Sequence, residues 1–269
     1  MKKTLLAAKI SLILYLVLFP QLSRGAIDFD FVDDYVSVAN FTVPPEGTFA
    51  MWLSTDINEN QTYGSYPFIF DTSATTTRVY FHGGNKAYTL GTNGLTTGRA
   101  TWTPGADVVG WWHLIVTWSA NGSQFYKNGR AVGVTGVGDH SGNAGSTFYL
   151  GTRPFDRWFD GRFAEVAIWD VALTAGEARQ LSNPRIRGIP LQVRLANLKL
   201  YWPMNDQPIG TSADGDAIGD SSGNGNNGTG NDGANNTGLT WDWDSWINIS
   251  KVFIRNIRLI IRNARVIIR

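Results

Sequence analysis

The sequence predicts an all-β fold, a β-sandwich of two antiparallel sheets with one short helix. Three observations carry that reading. From Ile27 onward, short runs of β-branched and aromatic residues alternate with clusters of Gly, Asn, Asp and Thr, the spacing of an all-β sandwich. Two Asn-Gly pairs, Asn121-Gly122 and Asn128-Gly129, fall seven residues apart, which makes the local topology an antiparallel meander. Hydrophobic residues make up 43% of the 269 positions and include 11 Trp, enough apolar material for one sizeable core.

The chain opens with Met1-Lys2-Lys3, an apolar run from Ile10 to Phe19, and small residues at the cleavage positions of Ser23-Arg24-Gly25. This predicts a secretory signal peptide over residues 1–25, because the run is shorter than the ~20 residues a membrane span needs. The strands that follow include Tyr35-Val36-Ser37-Val38, Phe49-Ala50-Met51-Trp52-Leu53, Phe68-Ile69-Phe70, Arg78-Val79-Tyr80-Phe81 and His113-Leu114-Ile115-Val116-Thr117-Trp118. Gln124-Phe125-Tyr126-Lys127 and Arg130-Ala131-Val132-Gly133-Val134 continue the meander on either side of Asn128-Gly129. Thr174 to Leu181 reads as a helix, with Thr174 as N-cap, Glu177 completing a capping box, and Asn183-Pro184 as the stop. Residues 205–238 are dense in Gly, Asn, Asp and Ser and read as one long loop. Trp241, Trp243 and Trp246 then suit a final strand, closing a domain expected to span residues 26–250.

Charge divides the chain. Residues 1–25 carry four basic groups and no acid, and residues 251–269 carry six and no acid, while the body holds 13 Lys and Arg against 22 Asp and Glu, a net of −9. An acidic body excludes nucleic acid as the main partner, since phosphate contacts demand a basic surface. With no Cys, disulfides, Cys-ligated zinc and thiol nucleophiles are excluded as well. The tail repeats Ile-Arg-Asn-Ile-Arg-Leu-Ile as Ile-Arg-Asn-Ala-Arg-Val-Ile, with arginines at 255, 258, 262, 265 and 269. On a helix this spacing gathers the arginines on one face, a basic amphipathic segment suited to an anionic membrane surface or another protein. Its β-branched content equally suits a strand or a self-associating segment.

Several stretches together resemble the laminin-G-like branch of the concanavalin A-like lectin/glucanase superfamily. Phe29-Asp30-Phe31-Val32-Asp33-Asp34-Tyr35-Val36 is similar to its first-strand signature, with Phe31 where a Gly is usual. Trp112 to Trp118 followed by Phe125-Tyr126-Lys127-Asn128-Gly129 resembles its central hairpin. Leu150-Gly151-Thr152, Phe159 to Val166, Ile168-Trp169 and Leu173-Thr174 look like its closing strands and helix. Leu200-Tyr201-Trp202-Pro203-Met204 and Asp220-Ser221-Ser222-Gly223-Asn224-Gly225-Asn226-Asn227-Gly228-Thr229 fit its late block. The resemblance spans roughly residues 27–245 and implies a concanavalin A-like jelly roll; relatives on this fold include glycan binders, glucanases, adhesion modules and structural coats, so fold alone leaves function open.

Site readings narrow the choice. Glucanases of this fold set their carboxylates on one strand as Glu-x-Asp-x-Glu, and the four glutamates, Glu46, Glu59, Glu165 and Glu177, form no such array, so no catalytic residue is expected. His82, His113 and His140 are scattered, and His113 is expected to pack within its strand. Asp33, Asp34 and Asp220 offer the oxygen ligands of a calcium ion, or serve as turn residues satisfying their own backbone. Tyr63, Tyr66, Trp102 and Trp158 stand in loop-like contexts, where they either stack on sugar rings or cap the core ends. Arg153, Asp156, Arg157 and Asp160 surround Trp158 in the densest polar-aromatic cluster, the expected rim of a ligand site. The sequence thus predicts a secreted, non-catalytic carbohydrate-binding or adhesion module, with calcium as its ion and a glycoconjugate as partner. A self-associating coat protein is the alternative.

Overall fold

The computed structural model describes residues 25–55, 67–73, 77–82, 87–92, 100–103, 110–136, 146–153, 157–183, 189–233 and 238–243. The expectations placed on the leader, on Tyr63, Tyr66, Asp156 and Trp246, and on the basic tail lie outside these residues. The strands in chain order are β1 (Gly25–Asp30), β2 (Tyr35–Val38), β3 (Gly47–Thr55), β4 (Phe68–Thr72), β5 (Thr77–His82) and β6 (Ala87–Thr92). They continue with β7 (Thr101–Trp102), β8 (Trp112–Ser119), β9 (Gly122–Lys127), β10 (Arg130–Gly136), β11 (Phe148–Leu150) and β12 (Thr152–Arg153). The last are β13 (Arg157–Trp158), β14 (Asp160–Trp169), β15 (Leu198–Trp202), β16 (Ala217–Ile218), β17 (Gly228–Asn231) and β18 (Thr240–Trp243).

Two antiparallel sheets result, as the sequence predicts. The front sheet runs β16-β17-β2-β11-β4-β5-β6-β7, and the back sheet runs β10-β9-β8-β3-β14-β1-β18 with β15 beside β14. Strand β7 pairs with both β6 and β10 and so hinges one sheet onto the other. β12 and β13 form a separate two-stranded ribbon.

Period-2 alternation explains which face is buried where. On β8, Trp112, Leu114, Val116 and Trp118 enter the inter-sheet core, as do Phe49, Met51 and Leu53 on β3. From the front sheet come Val36, Val38, Phe70, Val79, Phe81, Tyr88, Leu90, Phe148 and Leu150. Ring contacts run through this core: Phe49 lies 4.6 Å from Phe70, and Tyr88 stacks 5.4 Å from Trp102, geometries worth about 0.5–1.5 kcal/mol each beyond area burial.

The opposite face of the back sheet is covered by helix α1 (Ala175–Leu181). Ala50, Ile115, Tyr126, Ala167 and Trp169 of that face meet Leu173, Ala178, Leu181, Val193, Leu198 and Tyr201 in a second apolar layer. The expected capping box is present: Thr174 Oγ1 accepts from the Glu177 amide, and the Thr174 amide donates to Glu177 at 2.8 Å. His113 packs in this layer as expected, 3% exposed, its ring 4.7 Å from that of Trp52 and its Nδ1 2.7 Å from Ser182 Oγ.

Turn chemistry follows the sequence in one hairpin and departs from it in the other. Asn128 and Gly129 both take positive φ, 50° and 75°, the two-residue turn that their pairing predicts. In the β8–β9 hairpin Ser119 faces Gly122, and of the turn residues Gly122 alone has positive φ, so the bend falls one residue earlier than the Asn-Gly pair suggests.

The long loop expected over residues 205–238 is corrected: it contains β16 and β17, which extend the front sheet. Its glycines are needed for close approach. A Cβ at Gly230 would lie 2.0 Å from the carbonyl oxygen of Ala213, and one at Gly228 2.9 Å from the Trp202 ring. A strand built from such residues has no apolar alternation to announce it.

A β-bulge in β14 was equally silent. Ala164 faces Trp52 and Ala167 faces Ala50, so one extra residue is inserted; Phe163 and Val166 consequently both point into the core. Glu165 occupies the bulge at φ 55°, 5% exposed, and accepts from the Tyr201 hydroxyl at 2.5 Å.

Candidate functional site

Alternation leaves the odd-numbered positions of β2 and β11 on the outer face of the front sheet. Tyr35 and Ser37 therefore stand outside while Val36 and Val38 are buried, and Tyr149 stands outside between buried Phe148 and Leu150. The Tyr35 and Tyr149 rings lie 5.9 Å apart. The β12–β13 ribbon brings the Trp158 ring to 6.3 Å from Tyr35. Three half-buried rings thus share one surface, bordered by Asn231, which faces Tyr35 across the β2–β17 pair, and by Thr229, which faces Ser37. Burial of the Tyr35 hydroxyl, followed by its proximity to Tyr149 and Asp214, raises its pKa above the usual value.

The structure places Trp158 on this surface but arranges the residues expected around it differently. Arg153 and Arg157 are direct cross-strand partners on the ribbon, as are Thr152 and Trp158. Successive side chains on a strand point to opposite sides, so the two arginines face away from Trp158 rather than forming its rim. Asp160 pairs with Asp30 in the β1–β14 ladder, which carries it towards the first-strand acids. Of the two roles open to Trp102, ligand platform or core cap, the structure removes the first: it sits on β7, 9% exposed, stacked on Tyr88, edge-on to Trp112 and capped by the Lys127 ammonium at 5.2 Å. The flanking Thr-Pro-Gly made it look like a loop residue, but β7 closes the end of the core.

Beside Tyr35 lies a carboxylate cluster. Ligand oxygens of Asp30, Asp33 and Asp34 all fall within 4.8 Å of one another, with Asp34 fully buried. Phe31 holds the loop at φ 71°, the left-handed conformation that the usual Gly adopts freely and that costs another residue about 1–2 kcal/mol. Asp34 Oδ2 accepts from the Asp30 amide at 2.7 Å, whereas its Oδ1 is buried with no hydrogen-bond partner. Desolvation, followed by the like charges of Asp30 and Asp232 and a contact with the Asp232 carboxyl, pushes the Asp34 carboxyl up to about 8, against the lowering effect of that amide. Asp232, 2% exposed, comes from the far end of the chain and accepts from the Gly238 amide at 3.2 Å. Glycines let this return segment lie on the acids: a Cβ at Gly233 would fall 2.3 Å from Asp33 Cγ, and one at Gly238 2.3 Å from Asp30 Cγ.

Asp30, Asp33, Asp34 and Asp232 offer only oxygen donors, one of them a buried orphan, and this set fits a hard cation such as calcium. The sequence had singled out Asp33 and Asp34 but not Asp30 or Asp232. Asp220, read as either a third ion ligand or a turn residue, takes the second role and organises its loop. Its carboxylate accepts from the amides of Tyr201, Ser222 and Asn226 at 2.8–2.9 Å and from Ser222 Oγ at 2.8 Å, which uses its lone pairs on the chain itself.

The laminin G-like sequence profile of the concanavalin A-like lectin/glucanases superfamily matches residues 30–179, more than half of the chain, and the protein belongs to that superfamily. Among solved structures it is similar to a Bacteroides ovatus protein proposed to bind carbohydrate, with 18% identity over 82% of this chain and 60% of that one and a TM-score of 0.51. It is also similar to a heptameric SAP-like pentraxin of Limulus polyphemus (18% identity, 61% and 84% covered, TM-score 0.47). Domains LG4-5 of the mouse laminin alpha1 chain are a further neighbour (14% identity, 55% and 41% covered, TM-score 0.44). At these identities the likeness is one of fold. No curated protein sequence matches. Among the described residues, no helix is long and apolar enough to cross a membrane.

Proposed function

We propose that this is a secreted, non-catalytic carbohydrate-binding module that holds a saccharide on the outer face of its front sheet, with calcium at the adjacent carboxylates. The observation that carries this reading is the shared surface of Tyr35, Tyr149 and Trp158. Half-buried rings with fixed backbones supply flat apolar area at little entropic cost, while Ser37, Thr229 and Asn231 supply the few polar groups that orient a ligand. Calcium would brace the loop from Asp30 to Asp34, which leads directly into Tyr35, and supply positive charge to a cluster that is otherwise self-repelling.

Two alternatives fit less well. A retaining glycosidase needs two carboxylates about 5 Å apart that reach the glycosidic bond. The Asp30, Asp33 and Asp34 oxygens meet the distance, but Asp34, the acid with the raised pKa, is 0% exposed and beyond the reach of a substrate. A self-associating coat would present a broad apolar face. Among the described residues the exposed large hydrophobics are Val32, Leu191, Leu195 and Ile209, spread over three separate segments.

A glycan-array screen of the full chain, run with calcium and again with chelator, tests the proposal. Selective binding that weakens on chelation is the expected result. No binding in either condition would overturn the glycan reading and favour the self-associating coat.

A further inference from the structure

A strained residue stands in the loop between β1 and β2. Phe31 has φ 71°, where a side chain's Cβ crowds the following carbonyl oxygen and which Gly alone adopts freely. Strain of this kind survives only where its surroundings enforce it, and it concentrates at ligand sites. Core packing does not account for it, since Phe31 is half-buried and belongs to neither of the two apolar layers. Turn closure does not account for it either, because a glycine would close the same turn without strain.

The position of Phe31 does account for it. The Asp30–Asp160 pair ends the β1–β14 ladder, and just beyond it the Phe31 amide donates to the Phe159 carbonyl at 3.1 Å, one residue from Trp158. Tyr35 follows four positions later, its ring 6.3 Å from that of Trp158. Val32, next to Phe31, is 47% exposed. The loop thus brings apolar side chains to the Trp158 end of the aromatic surface, at the boundary with water, where a flat ring offers contact area at low entropic cost.

We infer that Phe31 is a ligand-contact residue that lengthens the surface of Tyr149, Tyr35 and Trp158 by one ring, so that the site takes an oligosaccharide chain whose last sugar lays an apolar C–H face on Phe31 and Val32. This rests on the glycan reading above and makes Phe31 the residue that sets preference for chain length.

The test uses the strongest oligosaccharide ligand of the native chain and the same ligand shortened by one sugar from either end. Phe31→Asn removes the ring and keeps the backbone, because Asn accepts positive φ more readily than other side chains. It should weaken binding of the intact ligand about 10-fold and leave one of the shortened ligands bound as tightly as by the native chain. Phe31→Tyr, which keeps the ring, should bind all three as the native chain does. With the strain relieved, the melting temperature of Phe31→Asn should hold or rise by about 2–4 °C, and its response to calcium should match the native one. Native affinity for the intact ligand in Phe31→Asn would overturn the inference. So would equal weakening for every ligand, or a melting temperature or calcium response that falls with binding, since these mark a residue acting through the fold or the carboxylate loop. Each of those results leaves the glycan reading intact, whereas failure of the native chain to bind any saccharide would overturn both.

Discussion

Replacing Asp34 with Asn is expected to raise the melting temperature of the calcium-free protein and to abolish its response to calcium. Asp34 is fully buried, with one oxygen taken by the Asp30 amide and the other unpartnered. It also faces the charges of Asp30 and Asp232. With its pKa raised to about 8, Asp34 must take up a proton to stay buried at neutral pH, which costs about 4 kcal/mol relative to the unfolded chain, and the amide removes that cost with little change in volume. In the native chain calcium performs the same neutralisation reversibly. A cation at a hundredfold excess over its Kd stabilises the folded state by about 2.7 kcal/mol. For a domain of this size that shifts the melting temperature by about 5–10 °C. Thermal scans of native and Asp34→Asn protein with calcium and with chelator check both halves. A variant that keeps the full calcium shift would show that the ion, if bound, sits elsewhere. Asp220→Asn serves as the contrast: it should destabilise the 220–226 loop without altering the calcium shift, because its carboxylate is committed to backbone amides.

The second large effect is an acid-induced loss of stability centred on His113. Burial lowers its pKa from 6.5 to about 3 in the folded protein. The unfolded chain therefore takes up a proton on this residue as pH falls below about 6.5, while the folded chain stays neutral until about pH 3. Stability contributed by neutral His113 is complete above the unfolded pKa and is lost progressively between those two values. At pH 4 the loss amounts to about 3 kcal/mol. Asp34, with its pKa raised to about 8, works in the opposite direction: its contribution is complete at low pH and is lost as pH rises through 8. The difference between native and His113→Gln chains isolates the histidine, since Asp34 is common to both. The variant is expected to lose less stability between pH 7 and pH 4 than the native chain, measured by chemical denaturation at each pH. Parallel curves would show that His113 is not held neutral against Trp52 and Ser182.

Strand alternation, the Thr174 capping box and the Asn128-Gly129 turn were legible in the sequence because each is a local pattern with a local cause. The aromatic surface was not. Tyr35 and Tyr149 are 114 positions apart and each reads as an ordinary outward strand residue; only the β2–β11 register joins them. Trp158 was found because its polar neighbours drew attention to it, although Arg153 and Arg157 face the other way. The carboxylate cluster was half legible. Asp33 and Asp34 stand out as a pair, but Asp232 was one aspartate among several in a Gly- and Asn-rich stretch, and only Gly233 and Gly238, needed for close packing, mark where that stretch returns to the first strand. Strands β16 and β17 escaped for the same reason, since the close packing of Gly228 on the Trp202 ring and of Gly230 on the Ala213 carbonyl replaces the side-chain pattern that normally reveals a strand.

The central claim is that the rings of Tyr35, Tyr149 and Trp158 hold a saccharide. It is tested most directly by the affinity of a Tyr149→Ala/Trp158→Ala double variant for the strongest ligand of the native chain, measured by titration calorimetry beside a thermal scan. Both rings are half-buried at the surface and outside the inter-sheet core, so the melting temperature should change little. Loss of two anchoring aromatics should cost at least about 2 kcal/mol of binding, a weakening of about 30-fold or more. An unchanged affinity in a folded double variant would contradict the account and move the binding site off this face.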